Sequence, residues 1–121
     1  MGSVKSSKAK GRRLQNFVRD KLKDLFITKW TKLPKLEDDD IKSQTMGMCG
    51  EDIVLSPAAK KMIPYSFECK NVEKLNIWDA LKQAETNCDD RTPVVVFKRN
   101  HSKIYVAIEF NDWLKHLEKE V

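Results

Sequence analysis

Apolar residues recur at helical spacing near the start of the chain. Leu14, Phe17, Val18, Leu22, Leu25 and Phe26 fall on one stripe, which predicts an amphipathic helix over residues 10 to 26. At about 100° per residue, Arg12, Gln15 and Arg19 lie along one border of that stripe, where side chains can reach a neighbouring cleft. Pro34 and the acidic run Glu37 to Asp40 end the helical pattern and lead to a short edge strand around Ile41 to Thr45. Gly47 and Gly50 mark a turn before Asp52-Ile53-Val54-Leu55, a short strand closed by Ser56-Pro57, and residues 58 to 62 fit one helical turn. From Tyr65 to Lys70, Tyr65, Phe67 and Cys69 alternate with Ser66, Glu68 and Lys70, so a strand here sends Glu68 and Lys70 to the same face.

Asn76, with Asp79 three residues later, reads as the cap of a second helix over residues 77 to 87. Its stripe is Ile77, Trp78, Leu81, Ala84 and Cys88, which assigns Trp78 to the core, as the stripe of the last helix does Trp113. The unbroken run Val94-Val95-Val96-Phe97 within 92 to 98 predicts a strand covered on both faces. After a turn at Asn100-His101-Ser102-Lys103, the segment 104 to 110 alternates, with Ile104, Val106, Ile108 and Phe110 inward. Asn111 then caps a last helix containing Trp113, Leu114 and Leu117. The order is helix, three strands, helix, two strands, helix, without internal repeat, which predicts a mixed α/β sheet flanked by helices.

The chain's 121 residues suit one domain, expected over 11 to 121, behind a basic disordered tail at 1 to 10. With 40% hydrophobic and 34% charged residues it is expected to fold in water. No apolar run approaches the roughly 18 residues of a membrane span, and a secretory signal is lacking, so a cytoplasmic location is expected. Cys49, Cys69 and Cys88 are odd in number and widely spaced, which predicts free thiols. His101 and His116 lack a ligand partner one turn away and are expected at the surface. The net charge of +5 divides unevenly: the first 35 residues hold eleven Lys or Arg against Asp20 and Asp24, a local +9, and the remainder carries −4. A basic pole on a slightly acidic domain is the electrostatic footprint of a nucleic-acid binder. Arg12, Arg13 and Arg19 on the first helix, and Lys98, Arg99 and Lys103 around the strand turn, are the candidate phosphate contacts.

The most informative pattern is Gly50-Glu51-Asp52-Ile53 followed, after a short interval, by Phe67-Glu68-Cys69-Lys70-Asn71. Neighbouring strands lie about 5 Å apart, so carboxylates from Asp52 and Glu68 can converge on one hard cation such as Mg²⁺. A cation there would polarise a phosphodiester, and Lys70, on the face of Glu68, would orient the attacking water or stabilise developing charge. Glu51 is the rival to Asp52, although alternation turns it the other way. The structural readings stay open at this point: Asp52 as a turn cap, Glu68 and Lys70 as a surface pair, and single basic residues as solubilising charges.

These segments resemble the PD-(D/E)XK nucleases, and within them the archaeal-type Holliday junction resolvases and their small phage-encoded relatives. The resemblance covers about residues 10 to 110. It rests on Lys10-Gly11-Arg12-Arg13, Gly50-Glu51-Asp52-Ile53, Glu68-Cys69-Lys70-Asn71 and Asn76-Ile77-Trp78-Asp79-Ala80-Leu81 with Gln83. It implies a restriction-endonuclease-like fold with a five-stranded sheet in αβββαββα order. It also implies a Mg²⁺-dependent endodeoxyribonuclease in which Mn²⁺ can substitute, with Asp52, Glu68 and the Cys69 carbonyl on the metal, Lys70 assisting the water, and a homodimer acting on branched DNA in a host cytoplasm. Relatives of this kind often place a Glu on the first helix, where this chain offers Gln15; Ser43 and Thr45 are the counterparts of a loop serine. Two other function classes fit the same residues: a catalytically weak DNA-binding module, and a phage interaction or inhibitor protein.

Overall fold

The structure is a computed structural model that describes residues 4–45 and 47–119. Helix α1 spans Val4–Lys23, so it begins inside the segment expected as a tail; residues 1 to 3 of that segment lie outside the described residues. Lys, Ala and Ser in this stretch extend a helix already anchored by packing further along. Leu14, Gln15 and Val18 are buried, whereas Phe17 and Leu25, expected on the apolar stripe, are exposed. Leu25 leaves the stripe because the helix widens into a π turn over Asp24–Thr28, closed by the Lys29 N–H donating to the Asp24 carbonyl at 2.8 Å. That extra residue per turn shifts the phase.

Strands β1 (Ile41–Ser43) and β2 (Ile53–Leu55) pair antiparallel, from Ile41 with Leu55 to Ser43 with Ile53. The short helix α2 (Pro57–Met62), capped by the Ser56 hydroxyl, leads into β3 (Tyr65–Asn71). Helix α3 (Ile77–Asn87) is the crossover to β4 (Thr92–Lys98), which runs parallel to β3. Asn76 caps α3 as expected, its side-chain oxygen accepting the Asp79 N–H at 3.2 Å. Strand β5 (Tyr105–Ile108) returns antiparallel to β4, and α4 (Phe110–Lys119) follows.

The five strands do not form one sheet. They divide into a pair, β1-β2, and a three-stranded sheet in the order β3-β4-β5. At the junction the Asp52 N–H donates to the Phe67 carbonyl at 3.0 Å, while the next β3 donor, the Cys69 N–H, is taken at 2.7 Å by the Asp52 carboxylate. A side chain thus occupies the place of a strand carbonyl, and the ladder does not continue.

One face of the three-stranded sheet packs Cys69, Val94 and Val96 against Leu14 and Val18 of α1 and against Ile41, Ile53 and Leu55. The other buries Val95 beneath Ala80 and Ala84 of α3, whose small side chains allow close approach. Trp78 is 78% exposed, contrary to the core assignment, because it lies about 100° around the helix from Ile77 and off the stripe centred on the two alanines. Trp113 is 44% exposed as well, and Ile104, Val106 and Phe110, expected inward, are exposed although Val106 lies opposite Val96 on the α1 side of the sheet. Only Ala107 and Ile108 of that alternation are partly covered, since β5 lies at the sheet edge and α4 buries none of its residues. The cap of α4 is Glu109 instead of Asn111: its carboxylate accepts the Asn111 N–H, and its carbonyl accepts the Trp113 N–H at 3.0 Å. All three cysteines are free. Among the described residues no helix is long and apolar enough to cross a membrane.

Candidate active site

Alternation along β3 turns Ser66, Glu68 and Lys70 to the α3 face, and Glu68 is only 2% exposed. Gly50, at φ +104°, makes the turn that a side-chain-bearing residue would resist and delivers Asp52 to the start of β2. There Asp52 and Glu68 line one cleft with Lys70, whose positive charge favours the ionised form of both carboxyls. Burial, then the charge of Asp52, pushes the Glu68 pKa from 4.5 up to about 7. Burial likewise raises the Asp52 carboxyl, opposed by the Cys69 N–H and by Lys70. The Asn87 side-chain amide, at the end of α3, lies beside Glu68 and favours its ionised form.

These groups open on a cleft of about 200 Å³ whose rim includes Gly11 and Gln15 of α1, Gln44 and Thr45 of the β1–β2 loop, and Gln83 of α3. Gln15 is 5% exposed, and its amide donates to the Gln44 carbonyl at 2.8 Å, which ties α1 to that loop. Thr45 reaches the rim, whereas the Ser43 hydroxyl is turned to Asn16 at 2.7 Å. A larger groove of about 350 Å³ lies between Pro64 and Lys119, away from the Asp52 and Glu68 carboxyls. The two shifted carboxyls meet in the smaller cleft.

The donor set suits a hard divalent cation. One buried oxygen of Glu68 has no hydrogen-bond partner among the described residues, and a second carboxyl stands beside it. Two adjacent buried carboxylates repel, and a cation between them removes that cost. No group of three or more His, Cys, Asp or Glu side chains is placed to hold a metal ion among the described residues, so the cleft offers two carboxylates plus backbone and amide oxygens. Mg²⁺ accepts such a set, because it keeps several waters and takes substrate phosphate oxygens. Cys69 contributes backbone to the cleft while its thiol sits in the core, where burial and the two acids push its pKa far up.

Glu51 turns away from the cleft, as alternation requires. Its carboxylate pairs with Arg91 at 2.5 Å, and Arg91 also reaches Asp89 at 3.2 Å and the Tyr65 carbonyl at 3.3 Å. This largely buried network fixes the residue next to Asp52. The six candidate phosphate contacts do not form one surface. Exposed Arg12 stands on the cleft side of α1, while Arg19 is occupied by Asp20 and Asn16. Arg13 and Lys98 share a separate cavity on the far flank, and Arg99 and Lys103 sit at the β4–β5 turn. Asn87, Gln44 and Arg91 were not legible as site residues. Asn87 carries only the weak signal of lying one turn after Gln83, and the other two act through partners distant in sequence.

An acid at a glycine turn, a Glu-X-Lys on the adjoining strand and a mixed α/β frame that brings them together define a nuclease of the PD-(D/E)XK class. Residues 6–121 match the family described as "Phage putative PDDEXK endonuclease", and the chain belongs to that family. No curated protein and no solved structure matches it.

Proposed function

We propose that the protein is a Mg²⁺-dependent DNA endonuclease, with Mn²⁺ able to substitute, and that its substrates are branched, as for Holliday junction resolvases. The observation that carries this reading is the meeting of the Asp52 and Glu68 carboxyls with Lys70 beside them. Asp52, Glu68 and the Cys69 carbonyl would hold the cation, which supplies positive charge to polarise the phosphodiester and activate water. Asp52 is held in place by the Cys69 N–H, and Glu51 and Arg91 anchor its neighbour. The Lys70 ammonium steadies the attacking water or the negative charge that grows on the phosphate oxygens. Gln15, tied to Gln44, positions the cleft wall as a neutral amide and leaves the ligand set less acidic than a Glu would.

Arg12 on one flank of α1 and Arg13 with Lys98 on the other, none with an ion-pair partner among the described residues, support contact with more than one DNA segment, which a branch point offers. A homodimer is supported by the bare edge of β5, with Tyr105 and Val106 exposed, beside the apolar face of α4 carrying Phe110, Trp113 and Leu117. A second reading, a catalytically weak DNA-binding module of the same fold, is favoured by Gln15 alone.

The test is cleavage of supercoiled plasmid and of matched linear, flapped and four-way DNAs with Mg²⁺ or Mn²⁺. The nuclease reading predicts metal-dependent cleavage that Asp52→Asn, Glu68→Gln and Lys70→Ala each remove, strongest on branched DNA. Salt-sensitive binding without cleavage of any form would favour the module. Activity persisting in two of the three variants would refute the assignment.

A further inference from the structure

The cavity on the far flank of α1 is separate from the cleft. Arg13 and Phe17 are one turn apart and lie roughly 160–200° around the helix from Gln15. With Leu14, Asn71, Lys98 and Ile104 they line a space of about 260 Å³. Asn71 and Lys98 face each other across the β3–β4 ladder as register partners, so the fold itself places them together. Among the described residues no acid lines the space. Arg13 and Lys98 have no ion-pair partner among the described residues, whereas Lys10, Arg19 and Lys23 pair with Glu73, Asp20 and Asp38. Both cations turned to this cavity are thus free to meet an anion.

Two further groups say what kind of anion fits. The Asn71 side-chain amide donates to the Lys10 carbonyl at 3.4 Å, but its buried oxygen has no hydrogen-bond donor among the described residues. Phe17 keeps 46% of its surface exposed at the cavity mouth. The Lys21 ammonium stands 5.3 Å from its ring centre. That exposed contact is weak and readily exchanged for a better one. A bare phosphate would satisfy the cations and leave both the orphan acceptor and the ring unused. A nucleobase supplies an N–H for the one and a flat face for the other. In duplex DNA a groove can offer a base N–H, but stacking covers the ring faces, so only an unpaired nucleotide can present edge and face together.

We infer that this cavity binds one unpaired nucleotide of a DNA strand, with its phosphate on Arg13 and Lys98, its base edge on Asn71 and its ring against Phe17. The inference rests on the nuclease reading for its context and deepens it: the preferred substrates carry a single-stranded or frayed nucleotide near the branch.

Binding measured in EDTA, with no cleavage, tests it apart from catalysis. The probes are fluorescein-labelled oligo(dT) and a duplex of equal length, titrated with the full chain at low salt. The expected result is measurable binding of the single strand, and a ratio of single-strand to duplex affinity that falls roughly tenfold in Phe17→Leu, within the range of one base–aromatic stack. Leu keeps the apolar packing, and an unchanged melting curve certifies the fold. Lys98→Ala is expected to weaken both probes together, as a phosphate contact does. No single-strand binding by the wild type, or an unchanged ratio in folded Phe17→Leu, overturns the proposal. Competition by free dTMP at the same concentration as the strand would reassign the cavity to a free nucleotide and overturn it too. A chain that cuts no DNA yet shows the Phe17-dependent ratio loses the nuclease reading and keeps this one.

Discussion

The three-stranded sheet has two edges, and they are finished in opposite ways. Along β3 the edge is polar inside: Ser66 and Glu68 are each 2% exposed, and Asp52 closes over the strand with its own carboxylate. Along β5 the edge is apolar outside, with Tyr105 54% and Val106 59% exposed and no strand paired to its outer side among the described residues. Elementary energetics would reverse both, since buried carboxyls and bare apolar edges are each costly. An edge that spends stability on buried acids suits the chemistry proposed for it, and one that leaves strand and apolar surface open suits the partner proposed for it. The contrast separates the edge proposed to react from the edge proposed to assemble.

The largest expected effect falls on the β3 edge. Glu68→Gln or Asp52→Asn is expected to lower metal-dependent cleavage about a thousandfold or more, measured in single turnover on the best branched substrate. Equal activity would mean that the buried acids serve the fold alone. Next comes Arg91→Ala, which leaves the Glu51 carboxylate without its buried partner. Denaturant unfolding is expected to show a loss of about 3 kcal/mol.

A smaller effect, of opposite sign, follows from the Glu68 pKa of about 7. The folded state holds this proton more tightly than the unfolded chain, where the value is the ordinary 4.5. The stability it contributes is therefore complete below about pH 4.5 and is lost as pH rises through 7. In EDTA near pH 8, Glu68→Gln is expected to be more stable than the wild type by on the order of 2 kcal/mol, with the difference shrinking toward acid pH. A variant less stable than the wild type at every pH would contradict the cost assigned to this edge. The least effect on the fold is expected at β5: Val106→Lys should change monomer stability by less than about 0.5 kcal/mol while driving a dimer to monomer in sedimentation. An unchanged sedimentation coefficient would leave the bare edge without the partner proposed for it.

How much of this was legible in the sequence follows the range of the forces involved. The run 94 to 97, the alternation of Tyr65 to Lys70 and the Asn76 cap are local signals, and β3, β4 and α3 form where they predict. The turn before Asp52 and the opposite orientation of Glu51 were legible for the same reason. Trp78 and Val106 were not, because an apolar residue states that it is hydrophobic and not whether anything covers it. The split of the sheet was hidden as well, since it depends on one carboxylate capturing the Cys69 N–H across seventeen residues. Gln15 was placed at the cleft by the helical wheel. Asn87 and Arg91 were missed because their partners are Glu68 and Glu51, which only the fold brings near.

The most direct test of the central claim is Mn²⁺ binding to the full chain, followed by electron paramagnetic resonance of the free ion near pH 8. The account predicts a site in the wild type that is lost in Asp52→Asn and in Glu68→Gln, and that weakens as pH falls below 7 and Glu68 takes up its proton. Equal binding by the wild type and both variants, or no binding by the wild type at all, would contradict it.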